Sequence, residues 1–182
     1  MQLIKDKISL KALDLTPENL QKLQIWLEDE EVVKYGGFVK TMPQTIEHIK
    51  SYLNKLLENP NVRLFGIYYK NEYIGNIRLD IEWLWRIGTI SILIGDKSKW
   101  NKGIATEAIK LITDFGFNTL GLIKLEVGVL DGNEGSLKAF QKAGFEIEGR
   151  RRKNRFCDGE YVDVILLGRV NAYTQTNCNY IA

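Results

Sequence analysis

The stretch SKWNKGIATEAI, Ser98–Ile109, sets a short polar segment with a single glycine directly against the start of an amphipathic helix. A helix start exposes unpaired backbone N–H groups and the positive end of the helix dipole, a combination that favours phosphate. Gly103 has no Cβ to hold ligand oxygens away from the backbone. Ala105 is nearly as small, Thr106 offers a hydroxyl and Lys102 a positive charge. The segment therefore reads as a cradle for a pyrophosphate, set against the plainer reading of a surface turn and an ordinary first helical turn. G-x-G-x-x-G and the P-loop pattern are both absent, so neither common nucleotide fingerprint explains it.

Working outward, the strand TISILIG precedes this stretch and a helix from Ile104 to about Asn118 follows it. Upstream, Ile8 to Leu13 alternates as a first strand, and Thr16 with Pro17 opens a helix whose stripe is Leu20, Leu23 and Leu27. A second helix is expected after Pro43, with Ile46, Ile49, Leu53, Leu56 and Leu57 at helical spacing and Pro60 beyond its end. RLFGIYY and YIGNIRLDI flank the turn KNE as a hairpin, and the loop EWLWR leads into TISILIG. Downstream come the strand KLEVGVL, a short helix around Ser136 to Lys142, and the strands FEIEGRR and YVDVILLGR. The order β-α-α-β-β-β-α-β-α-β-β describes an α/β fold, a mixed sheet with helices on its faces.

With 182 residues the chain reads as one domain over residues 1–170, followed by a polar tail over 171–182 that is expected to fray. Its 45% hydrophobic and 26% charged residues and formal charge of +2 exclude a disordered or polyanion-binding class. MQLIKDKISL lacks the apolar core of a secretory signal and no segment is long enough to span a bilayer, so a cytoplasmic protein without membrane contact is expected. Cys157 and Cys178 have no metal-ligand spacing and make no disulfide framework, so no metal is expected.

A second motif lies at Asn133–Phe145, N-x-x-S-x-x-x-F-x-K-x-G-F, with Asn133, Ser136, Phe140, Lys142, Gly144 and Phe145. Together the two segments resemble the GNAT acetyltransferase superfamily, whose acetyl-CoA loop Q/R-x-x-G-x-G/A is matched at Trp100-Asn101-Lys102-Gly103-Ile104-Ala105. Trp100 replaces the Gln or Arg, as in the ribosomal-protein N-terminal (RimJ/RimL-type) branch, which this chain also resembles in EGR and DGEYVD. The resemblance runs from about Leu3 to Arg169. It implies a mostly antiparallel sheet splayed between the fourth and fifth strands, TISILIG and KLEVGVL, flanked by about four helices. Pantetheine would enter that gap beside the backbone of Ile92, Leu93, Ile94 and Gly95, with Asn133 and Ser136 near the sulfur and Phe140 and Lys142 completing the coenzyme set.

The resemblance thus implies acetyl-CoA as co-substrate and direct attack of a primary amine on the thioester. An α-amine near pKa 8 is about a tenth neutral at pH 7, whereas a lysine-like amine must give up roughly 4 to 5 kcal/mol. The acceptor is a protein N-terminal amine or a small-molecule amine such as an amino sugar or polyamine. In the ribosomal branch a carboxylate follows the fourth strand, but Lys97 stands there. Glu82 and Asp96 rank equally as base or water-positioning group, each with a solvated surface acid as its plainer reading. Ser136 is the expected hydrogen-bond donor to the departing thiolate, because Phe140 stands where many relatives carry a Tyr.

Asp80, Trp83 and Trp85, with Tyr73, are candidates to border the acceptor. His48, the single histidine, reads as solvent-side, and no Ser-His-Asp pattern occurs. GRRRKNR, ending at Arg155, gives no continuous stripe on a strand, so nucleic acid is disfavoured. A homodimer through the end of the sheet is implied at family level only. The rival class is a non-catalytic acyl-CoA-binding domain serving in regulation or assembly.

Overall fold

The structure is a computed structural model that describes residues 2–36, 45–157 and 159–172. Pro43 and Cys178 lie outside the described residues, as does the tail from position 173 onward. Eight strands form one sheet in the order β1-β2-β3-β4-β5-β6-β8-β7. They are β1 (Gln2–Lys5), β2 (Ile8–Ala12), β3 (Val62–Tyr69), β4 (Glu72–Glu82), β5 (Ile87–Ile94), β6 (Lys124–Leu130), β7 (Glu146–Cys157) and β8 (Glu160–Val170). The helices are α1 (Pro17–Glu28), the single turn α2 (Glu30–Val33), α3 (Ile46–Glu58), α4 (Ile104–Asp114) and α5 (Glu134–Lys142). β1 and α2 were not legible as separate elements in the sequence.

The helices start where side chains can close their orphan donors. Thr16 Oγ1 accepts from Asn19 N at 3.2 Å, Thr45 Oγ1 from His48 N at 3.3 Å, and Asn133 Oδ1 from Ser136 N at 3.1 Å. Leu20 and Leu23 of α1 and Ile49 and Leu53 of α3 bury against Val62, Leu64 and Tyr73 on one face of the sheet. Ile104, Ala108, Ile109 and Ile112 make the stripe of α4, which packs with α5 on the other face over Ile77, Leu79, Ile81, Ile90 and Leu125. The turn between β3 and β4 is Lys70–Asn71, both at positive φ (51° and 68°), the backbone twist that a two-residue hairpin favours.

Among the described strands only one neighbouring pair is parallel. β5 and β6 join at Ile87↔Lys124, Gly88↔Leu125 and Thr89↔Glu126, and beyond that rung they pair no further. The outer side of β5 continues along β4 to Gly75↔Ile94, and that of β6 along β8 to Leu130↔Val164. The expected splay is therefore present, a gap between two strands that each remain anchored on the far side.

Two expectations need correction. Asn171 is not tail: it is 5% exposed, its N–H donates to Ile123 O at 2.8 Å and its Nδ2 to Leu122 O at 3.1 Å. The basic run of β7 does not alternate as a plain strand either. Arg151 pairs with Val164 and Arg155 with Val162, so Arg152, Lys153 and Asn154 bulge out opposite Asp163, whose Oδ1 accepts from Lys153 N at 2.8 Å. That backbone bond first, then the Arg150 guanidinium, holds the Asp163 carboxyl below the usual range.

Candidate active site

The loop between β5 and α4 is built to present Gly103. Asp96 caps a 3-10 turn (Lys97–Lys99), its Oδ1 accepting from Ser98 N at 2.9 Å, and Asn101 (φ 57°) and Gly103 (φ 74°) take left-handed backbone. Gly103 is the N-cap of α4, and a Cβ built there meets nothing within 4 Å, so the helix start is open to solvent. A groove of about 810 Å³ begins at this point. Lys5, Lys7, Lys102, Lys110 and Lys142 line it, five positive charges against the two negative ones of Asp6 and Glu107. Lys5 and Lys110 each lie 2.8 Å from Glu107, whereas Lys7, Lys102 and Lys142 have no ion pair among the described residues. Helix dipole, bare amides and excess lysines point the same way, to an anion carrying more than one charge.

On the face of the sheet carrying α1 and α3, the base of the fork is polar. β4 alternates core residues Ile77, Leu79 and Ile81 with Asn76, Arg78, Asp80 and Glu82. Asp80 pairs with Thr89, and Thr89 with Glu126, so three polar residues stand side by side on the last closed rung before the strands part. Two strand spacings separate the two carboxylates, about 10 Å. Arg78 fixes the first of them: its Nε donates to Asp80 Oδ2 at 2.8 Å while its Nη1 donates to the Tyr52 hydroxyl of α3 at 2.9 Å. Lys124 is held by Glu148 at 2.7 Å and reaches Glu126 only at 3.8 Å.

The acetyltransferase (GNAT) domain profile matches residues 10–146, three quarters of the chain. The chain belongs to the GNAT acetyltransferase family. It is an N-acetyltransferase, as are its named relatives. A probable N-acetyltransferase, YjcK of Bacillus subtilis, is 42% identical over 76 residues, 42% of either chain. The spermidine N(1)-acetyltransferase of Escherichia coli K12 is 27% identical over 161 residues, 88% of this chain and 80% of that one. In fold, the spermidine N-acetyltransferase of Vibrio cholerae solved with CoA and spermine superimposes with a TM-score of 0.81 at 21% identity, covering 92% and 97% of the two chains. The ribosomal-protein-S5-alanine acetyltransferase of Vibrio fischeri does so with 0.80 at 19%, covering 94% and 97%.

Against this GNAT frame several expected residues hold other positions. Trp100 Nε1, the one donor of the indole, is bonded to Ile94 O at 2.8 Å, so the side chain pins the end of β5 instead of reaching a phosphate. The Gly95 amide is bonded to Ile74 O at 2.9 Å, and a Cβ there would stand 2.0 Å from the Trp26 ring; this glycine serves the packing of α1. Phe140 is fully buried, edge-on to Phe145 at 5.2 Å, and belongs to the core. Asp96 is tied to its own turn. Burial raises its pKa, but the Ser98 and Lys99 hydrogen bonds outweigh that and leave the carboxyl low, a poor setting for a base.

Lys97, which replaces the expected carboxylate, clamps the loop to the α1–α2 junction through Asp29 at 2.6 Å and Glu31 at 3.1 Å. Trp83 and Trp85 are 42% and 63% exposed on the β4–β5 turn, beyond the closed end of the fork. Tyr73 is at the opposite end of β4, buried against Trp26 and Tyr68, and burial drives its hydroxyl pKa far up. Glu82 is exposed at the end of β4, one rung pair below Asp80, and His48 is exposed on α3. Lys102, Gly103, Ile104 and Thr106 line the groove with Lys142, and Ala105 is half-buried on the same helix start. Asn133 and Ser136 sit together at the start of α5, and Ile92, Leu93 and Ile94 follow the fork along β5.

Sequence reasoning missed Arg78, Tyr52, Thr89 and Glu126. The alternation I-R-L-D-I carried part of that signal, because it sets Arg78 and Asp80 on the face opposite the core residues.

Proposed function

We propose that this enzyme acetylates a small-molecule primary amine of polycationic, polyamine-like character, with the amine held at the closed end of the fork by Asp80 and Glu126. The reading rests on one observation, the polar row Asp80–Thr89–Glu126 on the last rung before β5 and β6 part. Acetyl-CoA suits the remainder of the site: its diphosphate would lie at Gly103 and Lys102, and its amide-bearing arm along the unpaired edge of β5. When bound it supplies the activated acetyl group. The amine nitrogen would attack the thioester carbonyl directly; the carbon–sulfur bond breaks, the amine proton passes to a carboxylate or water, and the coenzyme leaves as thiolate, which takes up a proton from water. The described cysteine, Cys157, does not call for a covalent enzyme intermediate: its Sγ donates to Lys34 O at 3.1 Å.

Asp80 is the better-placed base, since Arg78 holds its Oδ2 and leaves Oδ1 for the acceptor. Asp80→Asn removes the proton acceptor while keeping the shape, so kcat/KM for the amine is expected to fall at least tenfold, towards the roughly hundredfold typical of a lost general base, with KM for acetyl-CoA unchanged. The assay is thiol release against spermidine, an amino sugar and a peptide with a free α-amine. Unchanged turnover in both Asp80→Asn and Glu126→Gln would refute the assignment, and activity confined to the peptide would transfer the acceptor to protein N-termini, the choice of the RimJ/RimL resemblance.

Ser136 Oγ has no partner among the described residues and is half-buried beside Asn133. A thiol with pKa about 8.5 leaves readily as thiolate, so the serine contributes one hydrogen bond of about 1 kcal/mol. Ser136→Ala should lose about fivefold in kcat. Full turnover with unaltered acetyl-CoA affinity removes Ser136 from the site.

A further inference from the structure

The groove at α4 holds more positive charge than a diphosphate diester needs. Lys5 and Lys7 come from the tight β1–β2 turn, where Asp6 is at φ 53°, while Lys110 lies two turns along α4 and Lys142 at the end of α5. Ammonium groups drawn from four separate elements repel one another unless an anion lies among them. Glu107 neutralises part of this, bridging Lys5 and Lys110 at 2.8 Å each. Lys7, Lys102 and Lys142 stay unpaired among the described residues. Thr106 adds a second sign of a ligand: it lines the groove at 7% exposure, and its hydroxyl makes no hydrogen bond among the described residues. From Gly103 to Lys110 the helix rises about 10 Å, enough to separate a diphosphate at the helix start from a second anion beside Lys5 and Lys7. Five lysines less Asp6 and Glu107 leave three positive charges; a diphosphate diester takes about two of them, and a phosphate monoester, at about −1.5 to −2 at neutral pH, more than takes up the remainder.

We infer that the β1–β2 turn and the first two turns of α4 form a subsite for a phosphate monoester, the 3′-phosphate of coenzyme A. Lys5 and Lys7 then make the enzyme prefer the full coenzyme to its dephospho form. The inference rests on the acetyl-CoA reading above and adds residues outside the Trp100–Ala105 loop. Lys5 leaves Glu107 in part to meet the phosphate, and Glu107, held low first by Lys110 and then by Lys5, keeps the ammonium groups in place when the coenzyme is away.

The test compares acetyl-CoA with 3′-dephospho-acetyl-CoA by titration calorimetry and by KM. The proteins are the unaltered enzyme, Lys7→Ala, Lys5→Ala/Lys7→Ala, and Lys138→Ala as a control on the outer face of α5. The unaltered enzyme and the control should bind acetyl-CoA about tenfold more tightly, as charge-assisted hydrogen bonds at a partly exposed site allow. The double variant should lose that preference while its affinity for the dephospho coenzyme stays put, a pattern that general damage to the fold does not produce. Lys7→Ala, which leaves the Lys5–Glu107 pair intact, should lose part of it. Retained preference in the double variant, or equal binding of both coenzymes by the unaltered enzyme, overturns the subsite alone. Failure to bind either coenzyme overturns the subsite together with the acetyl-CoA reading.

Discussion

Gly103→Val should raise KM and Kd for acetyl-CoA about a hundredfold and leave the fold almost unchanged, since losing two charge-assisted hydrogen bonds amounts to roughly 3 kcal/mol. Gly103 is the N-cap of α4 at φ 74°, and a Cβ there meets no protein atom within 4 Å. Space inside the protein is therefore not what keeps this position glycine. Two other effects act together. A β-branched residue is strained in left-handed backbone, so the loop would turn its amides away from the groove. The added methyl groups would also stand where phosphate oxygens approach. Calorimetry with acetyl-CoA and a thermal melt measure the two sides of the claim. Unaltered affinity would remove the helix start from the coenzyme site, and a collapse of the melting temperature would make the glycine structural.

The second large effect falls on stability. Gly75 lies opposite Ile94 where β4 and β5 still pair, and a Cβ built on it stands 2.0 Å from Leu93 O and 3.0 Å from Ile94 Cα. Both obstacles are backbone in the middle of a sheet and cannot swing aside as a side chain does. Gly75→Ala should therefore destabilise the protein by about 3 kcal/mol, the upper range for overpacking, and lower Tm by roughly 6 to 12 °C. Because the strand end also carries the Trp100–Ile94 bond, acetyl-CoA affinity should fall as well. A variant that melts where the parent does would show that β5 can shift outward without cost.

The two halves of the site differ in how far the sequence discloses them. The end proposed for phosphate is local: Gly103, Thr106 and the start of α4 are adjacent in the chain, so helix-start rules find them. The strand faces were legible too, because β4 alternates strictly between Ile77 and Glu82. The row Asp80–Thr89–Glu126 was not legible. It exists only after β4, β5 and β6 have set their register, and period-two alternation says which face a residue takes, not which residue stands beside it.

Gly95 makes the same point from the packing side, since the ring that covers it belongs to Trp26, many residues away on α1. β1 is not legible because a strand of four residues carries little periodic signal. In sequence Trp100 reads with the phosphate loop only because of the residues beside it. Its indole instead donates to the Ile94 carbonyl.

The parted strands have a thermodynamic consequence. Past Thr89 and Glu126, two interior strands carry the open rows of amides and carbonyls that other proteins confine to the rim of a sheet. A ligand with an extended, amide-bearing arm closes those rows, and any such ligand stabilises the folded state by mass action, about 2.7 kcal/mol at a hundred times its dissociation constant. On the acetyl-CoA reading proposed above, the melting point should therefore rise with coenzyme concentration, and without coenzyme the sheet would keep a sticky seam at its own centre.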